Sequence, residues 1–237
     1  MEIKLSIIIP AYNEEKRLGL TLEKITAFLK KQPFASEVIV ADDGSRDRSA
    51  ALAREKLEGF QHQVLETPAN EGKGSAVRRG MLAACGKYRL FTDADLSTPI
   101  EEAPRFLKFL EEGYDAVIGS RGLSNSNVEV PQNALREAMG RIFNVFARLL
   151  AFRGIRDSQC GFKAFTAKAA EDLFRRQKLN GFSFDVEIVF LAQRRGYKLL
   201  ETPVTWRNSE QSRVKLLSDP FAMFLDLLKI RWLHRHD

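Results

Sequence analysis

The chain has 237 residues, 44% of them apolar and 29% charged, and a formal net charge of +6; that balance excludes a disordered chain, and the length supports one large core or two small ones. Its two cysteines, Cys85 and Cys160, exclude a disulfide scaffold or a four-cysteine zinc site and fit a reducing cytosol. No run approaches the ~18 uninterrupted apolar residues of a membrane span, and the opening MEIKLSIIIP has neither the length nor the small-residue cleavage site of a signal peptide.

In chain order, Leu5–Ile9, Val38–Ala41, Val64–Leu65, Tyr88–Thr92 and Ala116–Gly119 read as strands. Four of these runs, all but the third, are nearly continuously apolar, as strands covered on both faces are. Helical patterns fall between them near 15–31, 47–57, 73–84 and 100–111. The last opens on Ser97-Thr98-Pro99 followed by Glu101 and Glu102, which predicts a capped start with acids in the first turn. The polar stretch 122–133 reads as a loop. A long helix is predicted over 134–153, a strand near 162–166, helices near 167–176 and 183–195, a strand near 197–205, and a final helix over 217–233. The expected fold is α/β, a mostly parallel sheet flanked by helices, with amphipathic helices in the C-terminal half. No linker forces a boundary, so a single domain over 1–237 is expected.

Sheets of this kind bind ligands beyond the carboxyl ends of their strands. Four strand ends there carry polar clusters: Pro10-Ala11-Tyr12-Asn13-Glu14, Asp42-Asp43-Gly44-Ser45, Asn70-Glu71-Gly72-Lys73-Gly74 and Asp93-Ala94-Asp95. Each alone has an ordinary reading: a turn, a helix start or solvated loop acids. Together on one sheet edge they supply carboxylates, backbone donors and a lysine. Magnesium and similar hard cations take oxygen ligands and borrow some from substrate phosphates, so the set suits a metal–diphosphate complex.

The strings IIIPAYNEE, VADDGSRD, NEGKGSAVRRG and FTDADLS, in that order and spacing over residues 3–120, resemble the inverting family-two glycosyltransferases of the GT-A fold. The resemblance implies a nucleotide-sugar-binding half over 1–120 and an acceptor-binding half over 121–237. It implies a nucleotide-sugar site of Pro10, Tyr12, Asn13, Glu14, Asp42, Asp43, Lys73, Asp93, Ala94 and Asp95. In it Asp42 meets the base, Lys73 the phosphates and Asp93 the ribose, while Asp95 ligates Mg2+ or Mn2+. Further on, RGIRDSQCGFKAF (153–165), FSFDVEIVFLAQRRGYKLLETPVTW and DLLKIR resemble the dolichyl-phosphate glucosyltransferases within that family. This extends the likeness to almost the whole chain. It implies UDP-glucose as donor and a polyprenyl phosphate as acceptor. GDP-mannose, a soluble hydroxyl acceptor and a non-catalytic nucleotide-binding scaffold are the alternatives.

A phosphate monoester has a second pKa of about 6 and attacks without a general base; it needs guanidinium groups to position it. Arg121, straight after the fifth strand, and Arg136, at the start of the long helix, match positions where the family places such arginines, and Arg213 is a further candidate. With Asp95 they form the expected catalytic set, joined by Asp185, the preferred base if the acceptor were an alcohol. Asp157, Gln159 and Glu187 are open between sugar binding and structure: Asp157 as an arginine's partner, Asp185 or Glu187 as a helix cap. His62, His234 and His236 have no metal-ligand spacing and are assigned no role.

Residues 121–237 carry 20 Lys/Arg against 12 Asp/Glu, whereas residues 1–120 carry 17 against 19, so the second half favours an anionic partner. Helix 134–153 spaces Met139, Ile142, Phe143, Phe146, Leu149 and Leu150 among Arg141, Arg148 and Arg153. The last helix spaces Phe221, Phe224, Leu225, Leu228 and Trp232 among Lys229, Arg231 and Arg235. Basic aromatic amphipathic helices suit an anionic membrane surface, here the cytosolic face; core packing and a homo-oligomer interface are the competing uses of such stripes. No nucleic-acid motif appears, and none is expected as a partner.

Overall fold

The computed structural model describes residues 2–130, 134–207 and 218–235. The first half alternates as predicted: β1 (Leu5–Ala11), α1 (Glu15–Leu29), β2 (Ser36–Asp42), α2 (Ser49–Lys56), β3 (His62–Leu65), α3 (Lys73–Ala83), β4 (Tyr88–Thr92), α4 (Ala103–Glu111) and β5 (Ala116–Ser120). The second half contributes β6 (Asn127–Val130), α5 (Ala134–Leu150), β7 (Phe162–Thr166), α6 (Ala167–Arg176), α7 (Phe184–Arg194), β8 (Leu199–Pro203), β9 (Thr205–Arg207) and α8 (Ser218–Leu233).

Seven strands form one sheet in the order β3-β2-β1-β4-β7-β5-β8. All neighbours run parallel except β7, which is antiparallel to both β4 and β5. Every residue of β1, β4 and β5 is buried, which explains the unbroken apolar runs: helices cover both faces. Alternate side chains serve opposite cores. Ile7 and Ile9 join Leu22, Ile25 and Phe106 on one face, while Ile8 joins Val77, Phe165 and Phe184 on the other. Register then aligns the chemistry. Ala11 pairs with Asp42 and Thr92 with Phe162, so the ends of β1, β2 and β4 and the start of β7 share one edge.

Three expectations are corrected. The helix near 100–111 starts with a 3-10 turn at 100–102, and neither that turn nor α4 has a side-chain cap; the Ser97 amide instead donates to Asp95 Oδ1 at 3.0 Å. The strand near 197–205 is broken into β8 and β9. Part of the predicted loop 122–133 is β6, which pairs in parallel with β9, Val128 opposite Trp206. A four-residue strand whose partner lies far along the chain carries too little local pattern to be read.

Among the described residues no helix is long and apolar enough to cross a membrane. Helices α5 and α8 pack on each other, Phe146 edge-on to Phe224 at 5.2 Å. The stripes predicted there divide between burial and exposure. Of the predicted residues Phe143 faces the core, Met139, Leu150 and Phe224 are half-buried, and Ile142, Phe146, Leu149, Leu225, Leu228 and Trp232 are exposed; the core-facing side is made by Ala147, Met223, Leu227 and Ile230, which the stripes left out. The side chains of Arg141 and Phe221 lie outside the described residues.

Candidate active site

The β1 and β2 ends are stitched together by short side chains. Asn13, with φ of +52°, donates its amide to Ser45 Oγ (2.8 Å) and accepts the Arg46 amide on Oδ1 (2.7 Å). The Glu14 amide donates to Ser49 Oγ at 2.7 Å, and the Glu14 carboxylate is forked by Arg17, whose Nη2 donates to Oε1 at 2.7 Å. Pro10 is buried at the end of β1 and Tyr12 half-buried beyond it. Asp42 Oδ1 accepts the Ser45 amide (2.9 Å). Its Oδ2 is buried with no hydrogen-bond partner among the described residues, an arrangement that points to a donor arriving from outside. Asp43, the next residue, is buried and bonded to the neighbouring loop. It accepts from Asn70 Nδ2 (2.9 Å) and from the amides of Glu71 (3.1 Å) and Gly72 (2.8 Å), and so fixes the loop leading to Lys73.

Lys73 opens α3, and its Nζ lies 2.6 Å from Asp93 Oδ1 and 6.0 Å from the centre of the Phe184 ring. Burial works against its charge, but Asp93 and Asp185 outweigh that and push its pKa up to about 12. Asp93, Ala94 and Asp95 form a tight turn: the Leu96 amide donates to the Asp93 carbonyl (3.1 Å), Thr21 Oγ1 to the Ala94 carbonyl (2.6 Å), and Leu96 takes a φ of +46°. Asn13 and Leu96 are the non-glycine residues with positive φ among those described. Both sit on this edge, where stored strain accompanies function. Burial and the neighbouring Asp93 raise the Asp95 carboxyl, only partly countered by the Ser97 amide and Arg17. Two close carboxylates with oxygen ligands only, and no third acid or histidine to complete a protein cage among the described residues, fit a hard divalent cation that shares its shell with phosphates.

Gly161, at the start of β7, lies against Asp93. A Cβ there would fall 2.0 Å from Asp93 Oδ2. Gly161→Ala is therefore expected to push Asp93 off Lys73, lowering turnover by about 10- to 100-fold while costing little stability; steady-state rates and thermal melts check this, and undiminished turnover contradicts it.

Arg121 follows β5 and meets Asp157 in a two-pronged contact, Nε to Oδ2 at 2.6 Å and Nη2 to Oδ1 at 2.9 Å, with the Arg121 amide also on Oδ2 at 3.0 Å. Its guanidinium stacks 5.5 Å from the Trp206 ring on β9. Burial opposes the Arg121 charge and the Asp157 carboxylate more than offsets it, so its pKa is raised. Burial likewise opposes ionised Asp157, and Arg121 outweighs it, so that pKa is lowered. Glu201 accepts the Asp157 amide (2.8 Å), and the Gln159 amide donates to Asp157 Oδ1 (3.2 Å).

Asp185 is buried and paired with Lys163, a fully buried lysine of β7 that also donates to the Cys160 carbonyl at 2.7 Å. Burial raises the Asp185 carboxyl while Lys163 and Lys73 pull it down. Glu187 accepts backbone amides of Lys178 and Leu179. Neither acid caps α7, which lacks a side-chain cap; both are committed elsewhere.

The structure thus brings together Lys73, Asp93, Asp95, Arg121, Asp157 and Asp185. Arg136 lies on α5 with its side chain outside the described residues, and Arg213 is outside them altogether. Sequence reasoning passed over Arg17, Gly161, Lys163 and Trp206. Gly161 and Lys163 stand inside the RGIRDSQCGFKAF string and Trp206 closes the FSFDVEIVFLAQRRGYKLLETPVTW string, so a signal was present for all three.

Residues 6–174 match the family model described as Glycosyl transferase family 2. The chain is 35% identical over 243 residues to a dolichyl-phosphate beta-glucosyltransferase of Dictyostelium discoideum, covering 97% of this chain and 74% of that protein. It is 37% identical over 242 residues to a dolichyl-phosphate beta-glucosyltransferase of Drosophila melanogaster, covering 96% and 74%. Glucosyl-3-phosphoglycerate synthase from Mycobacterium tuberculosis, crystallised with Mn2+, uridine diphosphate and phosphoglyceric acid, superposes with a TM-score of 0.68. Its identity is 20%, over 98% of this chain and 78% of that one, a likeness of fold.

Proposed function

The chain belongs to glycosyl transferase family 2, and from that premise we propose that it transfers glucose from UDP-glucose to a polyprenyl phosphate with inversion at the anomeric carbon. One observation carries the choice of acceptor. The two buried carboxylates available as a base, Asp185 and Asp157, are already engaged, Asp185 with Lys163 and Asp157 with Arg121. An alcohol would need one of them to take its proton, whereas a phosphate dianion arrives ionised. The names of the relatives point to the same acceptor and sugar.

In this reading Asp42 Oδ2, buried and without a hydrogen-bond partner among the described residues, accepts the N–H of a uracil ring. Lys73 offsets the negative charge of the diphosphate. Asp95, with Asp93 beside it toward the ribose, would hold a Mg2+ or Mn2+ ion, which when bound would supply positive charge to the departing diphosphate. Arg121, fixed by Asp157 and Trp206, receives the acceptor phosphate and counters its repulsion from the donor. A phosphate oxygen then bonds to C1 as the bond from C1 to the diphosphate oxygen breaks. The electron pair leaves with the nucleoside diphosphate, and no proton moves. The exposed apolar residues of α5 and α8, flanked by Arg148, Lys229, Arg231 and Arg235, suit an anionic lipid surface, where such an acceptor resides.

A panel of radiolabelled nucleotide sugars tests this reading, each offered to short polyprenyl phosphates in solution, in neutral vesicles and in anionic vesicles. Product from UDP-glucose and polyprenyl phosphate alone, with the protein sedimenting on anionic vesicles, is expected. Preference for another sugar or for an alcohol overturns the substrate assignment, and failure to sediment overturns the membrane one. Arg121→Ala should lower transfer to polyprenyl phosphate by about 100-fold or more and leave the slow hydrolysis of the donor by water nearly unchanged. Equal loss of both removes Arg121 from the acceptor site.

A further inference from the structure

The turn that carries Lys73 is braced from outside its own helix. The Ser75 amide donates to the Asn180 carbonyl (3.2 Å), and Gln177 Nε2 donates to the carbonyls of Gly74 (2.9 Å) and Leu179 (2.8 Å). Contact is close enough that a Cβ on Gly72 would lie 2.4 Å from the Asn180 oxygen, and one on Gly74 2.8 Å from that of Leu179. Segment 177–181 is held in turn by one carboxylate. Glu187, fully buried on α7, accepts the amides of Lys178 (2.8 Å) and Leu179 (2.9 Å). Its remaining contact is with His234, one residue past α8 and also fully buried, with Nε2 2.6 Å from Oε1. The same junction is fastened by Ser183 Oγ on Asp226 Oδ2 (2.8 Å) and by Lys178 Nζ on the Leu233 carbonyl.

We propose that His234 is a positioning residue for the donor site: through Glu187 it holds segment 177–181, which holds the Lys73 turn. The inference rests on the reading of Lys73 as the lysine that meets the donor phosphates. A buried carboxylate needs its lone pairs satisfied, and one bound to two amides and an imidazole N–H is held in a single orientation by charge-assisted bonds. Without the imidazole, one oxygen loses a donor and a cavity opens at the end of α8. Segment 177–181 then relaxes, and the glycine turn packed on it follows. A histidine some 160 residues from Lys73 in sequence thereby becomes part of the machinery that orients the donor lysine.

The test uses the full chain and three variants: His234→Ala, His234→Gln, whose side-chain amide can still donate, and His234→Met, which fills the space without donating. Hydrogen exchange of the Ser75, Lys178 and Leu179 amides is measured without ligand, and affinity for UDP in the presence of MnCl2 is measured by calorimetry. His234→Ala and His234→Met should lose protection at those amides and bind UDP about tenfold more weakly, the scale of one hydrogen bond to a charged group. His234→Gln should recover most of both. Should His234→Ala fail to fold, the comparison of Gln with Met decides. Indistinguishable Gln and Met variants, or protection lost evenly along α7 and α8 with unchanged UDP affinity of the folded protein, overturn the proposal. Absence of UDP binding by the unaltered chain would instead defeat the donor assignment, and the exchange result would stand apart from it.

Discussion

Asp95→Asn is expected to lower turnover by about a thousandfold or more, because it removes the carboxylate charge that would hold the cation against the departing diphosphate. The fold should survive. Asp95 Oδ1 serves the structure by accepting the Ser97 amide at 3.0 Å, and an asparagine carbonyl keeps that bond. Asp95 is also a site where charge is held at a cost: burial and Asp93 both disfavour its ionised form, so the neutral side chain relieves repulsion in the free protein. The expected pattern is therefore an unchanged or slightly raised Tm, a loss of metal-enhanced UDP binding, and little change in UDP binding without metal. Single-turnover rates and calorimetry with and without MnCl2 give these quantities. Wild-type turnover in Asp95→Asn would take Asp95 out of the metal site.

Lys163→Met should produce the largest loss of stability, about 3–5 kcal/mol, the usual result of stripping one partner from a buried ion pair. Lys163 is fully exposed to nothing but protein: Asp185, the Cys160 carbonyl and the face of Phe91, 5.1 Å from Nζ. In the variant the buried Asp185 loses its paired ammonium, with Lys73 the cation that still acts on it. The double variant Lys163→Met/Asp185→Asn should recover much of the loss, because it buries no uncompensated charge. The pH dependence has a definite sign. Burial already raises the Asp185 carboxyl, and loss of Lys163 raises it further. A carboxyl whose pKa is higher in the folded state than in the unfolded state contributes stability at low pH that is lost as pH rises through the folded value. The deficit of Lys163→Met should thus be small near pH 4 and grow toward neutrality. Urea denaturation from pH 4 to 8 measures it, and a deficit independent of pH would show that Asp185 is not the group left uncompensated.

The two sites differ in how far they were legible beforehand. Asp93 and Asp95 stand at the end of a continuously apolar strand, and a strand–helix alternation brings all such ends to one edge; reading Tyr88–Thr92 as a buried strand was enough to place them. The partners of Arg121 and Asp185 were not legible in the same way. The sequence marks Asp157 as an acid that can serve an arginine, but Arg121 is 36 positions away, and the two meet only once the sheet sets β5 beside β7. Asp185 and Glu187 looked like first-turn acids of a helix, where carboxylates commonly cap. Both point inward instead, because Lys163 and His234 offer them full cationic or N–H partners that a solvated helix start does not.

What the chain determined by itself was the fold class and the sheet edge where the chemistry gathers, since both follow from short-range patterns: apolar runs of strand length, helical spacing, and glycines and acids at the ends between them. Only tertiary structure decided that β7 inserts antiparallel between β4 and β5, that β6 and β9 pair to set Trp206 over Arg121, and that Lys163 meets Asp185 and His234 meets Glu187. These contacts join residues tens of positions apart, and they rest on ladder hydrogen bonds and on charge pairing strong enough to offset the cost of burying the charges. Those forces do not exist until the elements have packed, so no local pattern records them.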